Sequence, residues 1–210
     1  MQTPKFPYDK SRMFISQYFH AGHKAWDIVP LYKRSDGLPA DCYPIFAGFT
    51  VSMQDTSPKL GKGIKVRTNL WPDIQKHLAE NGAVGKYIDI LYWHLLDVTD
   101  EDGSIDQNTS VGITGNTGKV FTGGVAVPNS EKGIPPYKGL HLHLAIMVGA
   151  KYIDPQIIFN YKPQMSQIKT QSLGASRRLI LEAGTIEEWI ALCKVYGTDP
   201  NIVDEKVKLE

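Results

Sequence analysis

Leu140-His141-Leu142-His143-Leu144-Ala145-Ile146 alternates imidazole with aliphatic side chains at a two-residue period, which is the repeat of a strand and not of a helix. The segment therefore reads as a β-strand with one apolar face and both imidazoles on the other. Two neighbouring imidazoles on one face call for a polar partner, and for histidine the commonest such partner is a metal ion. A half-exposed strand carrying two solvated histidines is the plain alternative.

Upstream, Gly22-His23-Lys24-Ala25-Trp26-Asp27-Ile28-Val29-Pro30 holds a histidine and a carboxylate four positions apart. Trp26, Ile28 and Val29 before a proline read as a short strand. Fully extended, His23 and Asp27 would lie about 13 Å apart at roughly 3.3 Å per residue, too far for one ion to bridge. The chain must therefore curl before Asp27, and Gly22 leaves room for that loop. Joined to His-x-His, the pair offers N, O and N donors, a set that suits a zinc with three protein ligands and a fourth position for water. Spacing alone leaves a second arrangement open, in which His141, His143 and His94 form a three-histidine site.

Between Phe14 and Asp154 the chain is a series of short apolar stretches broken by Gly, Pro, Asn and Asp, at 44–52, 63–68, 87–93, 110–114 and 140–148. That pattern predicts a mainly β domain of antiparallel sheets. One helix is expected from Pro72 to Glu80, with Pro72 in its first turn and Asn81-Gly82 as its stop, and His77 is read as a surface residue on it. Beyond Pro163 the composition changes. Residues 164–183 resist classification, whereas Thr185-Ile186-Glu187-Glu188 is a capping box that opens a C-terminal helix to Tyr196. Its stripe of Ile186, Trp189, Ile190 and Cys193 predicts docking on the domain or on a partner subunit, so an oligomer through this helix is one expectation.

His94 stands in Tyr92-Trp93-His94-Leu95, followed by the glycine-spaced turn Gly112-Ile113-Thr114-Gly115-Asn116-Thr117-Gly118. These two blocks, preceded by His23-x-x-x-Asp27 and followed by His141-Leu142-His143, resemble in order the lysostaphin-like (LytM-like) zinc metallopeptidases over about residues 14 to 161. Asp154-Pro155 resembles that family's closing dipeptide. The resemblance implies a sandwich-like domain with a central groove, of the duplicated hybrid motif type, over residues 1–162, and an extension over 163–210. It implies a Zn2+ cofactor held by His23, Asp27 and His143, with His141 as general base or proton shuttle and His94 as transition-state stabiliser. The implied activity is hydrolysis of peptide bonds in peptidoglycan. His20 and Tyr137 are the candidate substrate contacts, at the rim and in the groove wall, while Asp89 and Asp154 are candidates to orient ligand histidines.

Two stretches depart from the family pattern. Residues 68–86 lengthen one connection, and 119–139 form an insertion just before the His-x-His strand, where Lys138-Gly139-Leu140 stands in place of a short Gly-Pro link. The alternative reading is a non-catalytic metal-binding structural or regulatory protein that retains the fold. A histidine phosphocarrier is disfavoured, because Asp27 beside the nucleophile would repel an incoming phosphoryl group.

The formal net charge of +1 excludes the basic footprint of a nucleic-acid binder or polybasic membrane anchor. The two cysteines, Cys42 and Cys193, lack zinc-finger spacing and are expected to be reduced and buried. The first ten residues carry no apolar signal core and no stretch is long enough to cross a bilayer, so a phage lysin or virion-associated hydrolase, delivered to the cell wall or released by lysis, is the expected setting.

Overall fold

The computed structural model describes residues 2–53, 59–99, 103–162, 169–173 and 176–180. The chain divides into two compact units, one of residues 2–162 and one of residues 163–210 with Met1.

The first unit is built on an antiparallel sheet whose strands run, edge to edge, Met13–Gln17, Trp26–Pro30, Leu142–Val148, Tyr87–Leu95, Lys62–Asn69, Gly48–Met53 and Ser104–Ile105. Lys151–Ile153 folds back on the Leu142–Val148 strand as an eighth member. Alternation decides the faces: Leu142, Leu144, Ile146 and Val148, with Ile88, Ile90 and Tyr92 from the neighbouring strand, are buried in the main core. Trp26 and Ile28 join them. The other face carries Asp27, His143 and Trp93, which the register sets side by side across three strands. A second, smaller core of Ala25, Leu91, Trp93 and Ala145 lies on that face. There the Trp93 ring lies so close over Gly63 that a Cβ at that position would stand 2.2 Å from it.

The expected helix is present as Pro72–Glu80, with proline in its first turn and Ile74 and Leu78 buried. His77 is not the surface residue that was expected. Its ring is partly buried, and Nε2 donates to the Ile157 carbonyl at 2.7 Å, tying this helix to a short second one, Pro155–Phe159. Asp154 caps that second helix by accepting from the Gln156 amide, and Asp89 takes Arg67 in a two-bond pair at 2.7 Å each. Among the described residues, neither carboxylate makes a hydrogen bond to His23, His94, His141 or His143, so neither orients the candidate ligands.

The insertion at 119–139 opens with a small hairpin, Phe121–Thr122 paired with Val125–Ala126. Cys42 is a buried free thiol, and burial raises its pKa well above the usual range, which keeps it protonated and inert. In the second unit the structure describes a hairpin, Lys169–Leu173 paired with Ser176–Ile180, within a stretch whose sequence showed no clear pattern. The expected helix at 186–196, and Cys193 with it, lie outside the described residues.

Candidate metal site

Asp27 and His143 sit directly opposite one another on paired strands, and His23 reaches them from a tight turn closed by mutual backbone hydrogen bonds between His20 and His23. The three donor atoms form a small triangle. His143 Nδ1 lies 2.9 Å from Asp27 Oδ1, His23 Nε2 lies 3.1 Å from that same oxygen, and the two ring nitrogens are 3.3 Å apart. Two ligands at about 2.0–2.1 Å from a tetrahedral zinc stand about 3.3 Å from each other, so these edges fit one ion on three corners. Among the described residues, this is the group of His, Cys, Asp and Glu side chains able to hold a metal. Its side chains are 13–17% exposed, so the three donors lie just beneath the surface and within reach of solvent.

The electrostatics favour a cation here. The other ring nitrogen of His23, Nδ1, faces the Tyr18 carbonyl at 3.4 Å and can only donate to it. In the neutral ring this leaves Nε2 as a bare lone pair facing a carboxylate oxygen, two acceptors with no proton between them. Burial opposes ionisation of Asp27, but the His143 hydrogen bond and the fields of His141, His143 and His23 outweigh it and hold the carboxyl below its ordinary value.

His141 and His94 complete a ring of imidazoles. Their centroids are 4.7 Å apart, and His94 lies 5.6 Å from His143. Each donates Nδ1–H to a backbone carbonyl, His141 to Gly139 at 2.8 Å and His94 to Thr117 at 2.7 Å. Both tautomers are thereby set, with Nε2 unprotonated in the neutral rings. His141 Nε2 is 3.8 Å from the second Asp27 oxygen. Desolvation, reinforced by neighbouring histidines, pushes His94 down to about 3, and desolvation also lowers His141 against the opposing pull of Asp27.

His94 reaches this cluster by an irregularity. Strict alternation would place it on the face of Tyr92, in the main core. Instead the register slips between Lys62 and Gly63, which pair with Leu95 and Trp93, so His94 is the extra residue of a β-bulge. It adopts φ +66°, a left-handed conformation that non-glycine residues rarely take, and this re-aims its side chain.

No family model and no curated protein sequence matches the chain. Solved structures do. The structures it is similar to include peptidases. One is a zinc-containing peptidase from Vibrio cholerae, with 15% identity and a TM-score of 0.48, spanning 77% of this chain and 40% of that one. Another is the catalytic domain of a prophage-encoded M23 protein from Enterococcus faecalis, at 14% identity and TM-score 0.46, spanning 72% and 95%. A third, in the SpoIIQ–SpoIIIAH pore-forming complex, shares 18% identity with a TM-score of 0.46 over 74% and 90%. The chain thus spans less than half the length of the Vibrio cholerae protein.

The structure brings His23, Asp27, His143, His141 and His94 together. His20 stands at the rim, exposed, its ring 5.7 Å from that of His23 and its nitrogens bonded to Gln17 and the Gly22 amide. Tyr137 is only 6% exposed and holds φ +55° in a turn of the insertion, so its ring is packed and does not line an open wall. Sequence reasoning missed the carbonyls of Thr117 and Gly139, since a backbone partner leaves no mark in side-chain identity.

Proposed function

We propose that this chain is a zinc-dependent endopeptidase that cuts peptide bonds in the stem peptides or cross-bridges of peptidoglycan, at the cell wall. The observation that supports it most is the convergence of His23 Nε2, Asp27 Oδ1 and His143 Nδ1 within 3.3 Å of one another. These three residues would hold the ion, which when bound polarises a carbonyl and brings the pKa of water to about 7. The choice of peptidoglycan is supported by the four ordered sequence blocks.

His141 is the general base in this reading. Its Nδ1–H is engaged with Gly139, so Nε2 is free to take a proton from water and return it to the departing amine. His94 faces the same centre with a second bare Nε2, and it stabilises a developing oxyanion by donation only after that nitrogen gains a proton. Strand placement of His143 and His94, with carbonyl partners for His141 and His94, gives the pre-organisation such chemistry needs. His20, exposed at the rim, is the residue this reading assigns to substrate contact.

Incubation of the zinc-loaded protein with purified peptidoglycans of several cross-bridge types, read by mass spectrometry of new amino termini, tests this. Cleavage that stops on chelation and in Asp27→Asn is expected. Absence of new termini on every wall type, from protein shown to carry one zinc, would overturn the reading.

A further inference from the structure

Asn116 is completely buried, and each polar group of its side chain is used. Oδ1 accepts from the Gly133 amide at 2.7 Å, while Nδ2 donates to the Lys138 carbonyl at 3.0 Å and to that of Glu131 at 3.4 Å. All three partners belong to the 119–139 insertion. The backbone on either side of Asn116 is bonded to the histidines instead: the Gly115 carbonyl accepts from the His141 amide at 3.2 Å, and the Thr117 carbonyl accepts from the His94 ring.

The Lys138 carbonyl is part of the peptide unit that joins Lys138 to Gly139. That plane is one side of the N–Cα rotation of Gly139, which stands at φ +70°; the other side, the peptide unit that carries the Gly139 carbonyl, is held by the Leu140 amide donating to the Tyr137 carbonyl at 3.1 Å. Glycine has no Cβ to restrain this rotation, so a neighbour must do it. Packing leaves room for glycine alone, since a Cβ there would meet the Phe121 carbonyl oxygen at 2.9 Å and the side chains of Val120 and Val127 at 3.2 Å. The carbonyl of this same Gly139 receives Nδ1–H of His141 and sets its tautomer. We propose that Asn116 is a positioning residue for His141: its amide holds the 138–139 peptide plane, and the insertion thereby supplies the carbonyl that orients the base. The catalytic consequence rests on His141 being the base, whereas the effect on the His141 ring does not.

The test is Asn116→Asp in the full-length, zinc-loaded protein. The substitution keeps the shape and the acceptor for Gly133 but sets an anionic oxygen against two carbonyls. Imidazole 15N spectra of the wild type should show His141 as the Nδ1–H tautomer with slow solvent exchange. In the variant that proton should exchange about tenfold faster, the factor expected for loss of one hydrogen bond's net contribution. Zinc content and the His23 and His143 signals should stay unchanged, and kcat should fall about 10- to 10²-fold with KM within about twofold, as for a small misplacement of a reacting group. A folded variant whose His141 tautomer and exchange rate match the wild type overturns the proposal. If Asn116→Asp does not fold, Asn116→Ala carries the same readout, and a wild-type His141 without the Nδ1–H tautomer refutes it with no variant. A wild type that shows the tautomer, responds to the variant and cleaves nothing would sink the peptidase reading and leave this one standing.

Discussion

His143 lies directly opposite Asp27 on paired antiparallel strands, with 2.9 Å between Nδ1 and Oδ1. Cross-strand neighbours have Cβ atoms only about 4.5–5.5 Å apart, so the register alone brings these two donors within reach of one ion. His23 needs a turn to join them; Asp27 and His143 need only the pairing.

Metal content should depend on Asp27 more than on any change of shape. Asp27→Asn keeps the side-chain volume but removes the charge that offsets the cation, and should reduce bound zinc from near one per chain to about a tenth or less at micromolar protein, read by elemental analysis. In the parent protein, chelation should lower the melting temperature, because an ion present at about 1,000 times its dissociation constant stabilises by about 4 kcal/mol. Full zinc occupancy in Asp27→Asn would show that the triangle is not the metal site.

The two histidines of the His-x-His strand should separate in their effects. His143→Ala should lose zinc and hydrolysis together, whereas His141→Ala should keep zinc and lose about 10²-fold or more in rate. Elemental analysis beside a peptide-release assay distinguishes the two. Zinc lost from His141→Ala and kept in His143→Ala would reverse the assignment.

At His94 the usual order of alanine and glycine should invert. Within a strand glycine is the worse residue, but at φ +66° an L side chain carries a strain of about 1–2 kcal/mol that glycine does not. His94→Gly should therefore be more stable than His94→Ala by about 1 kcal/mol in denaturant titration. Both should lose activity. Equal stability, or the ordinary order, would mean that His94 does not hold this backbone conformation.

The metal-free protein should weaken in mild acid. His94 is held near 3 against an ordinary value of 6.5, so the unfolded chain takes up a proton at a pH where the folded chain resists it. Its contribution is complete above about 6.5 and is lost as pH falls toward 3, with His141 shifted in the same direction. Asp27, held below its ordinary 3.8, adds a further loss only beneath that value. Melting temperatures between pH 7 and 4 should fall for the parent protein and fall less steeply for His94→Gln. Parallel slopes would rule out a buried neutral His94 as the cause.

Part of this site is legible along the chain before any tertiary contact forms. Two-residue alternation around His141 and His143 is a local property, readable without a partner, and so is the Pro72–Glu80 helix with its proline start and Asn81-Gly82 stop. The need for a loop before Asp27 followed from chain geometry alone. Register is a different matter, because nothing in either segment says that the Trp26–Pro30 strand pairs with Leu142–Val148, and a slip by one residue would have turned Asp27 away from His143. The bulge at His94 runs against alternation and arises only when Lys62 and Gly63 meet the far strand out of step. Asn116, Thr117 and Gly139 belong to the same class: their parts are played through buried amide and backbone groups whose partners lie 15 to 23 positions away or across a glycine hinge. Outside such bulges, local pattern decides which face a side chain takes. Which side chains share that face is decided by pairing, and pairing is settled by the whole core at once.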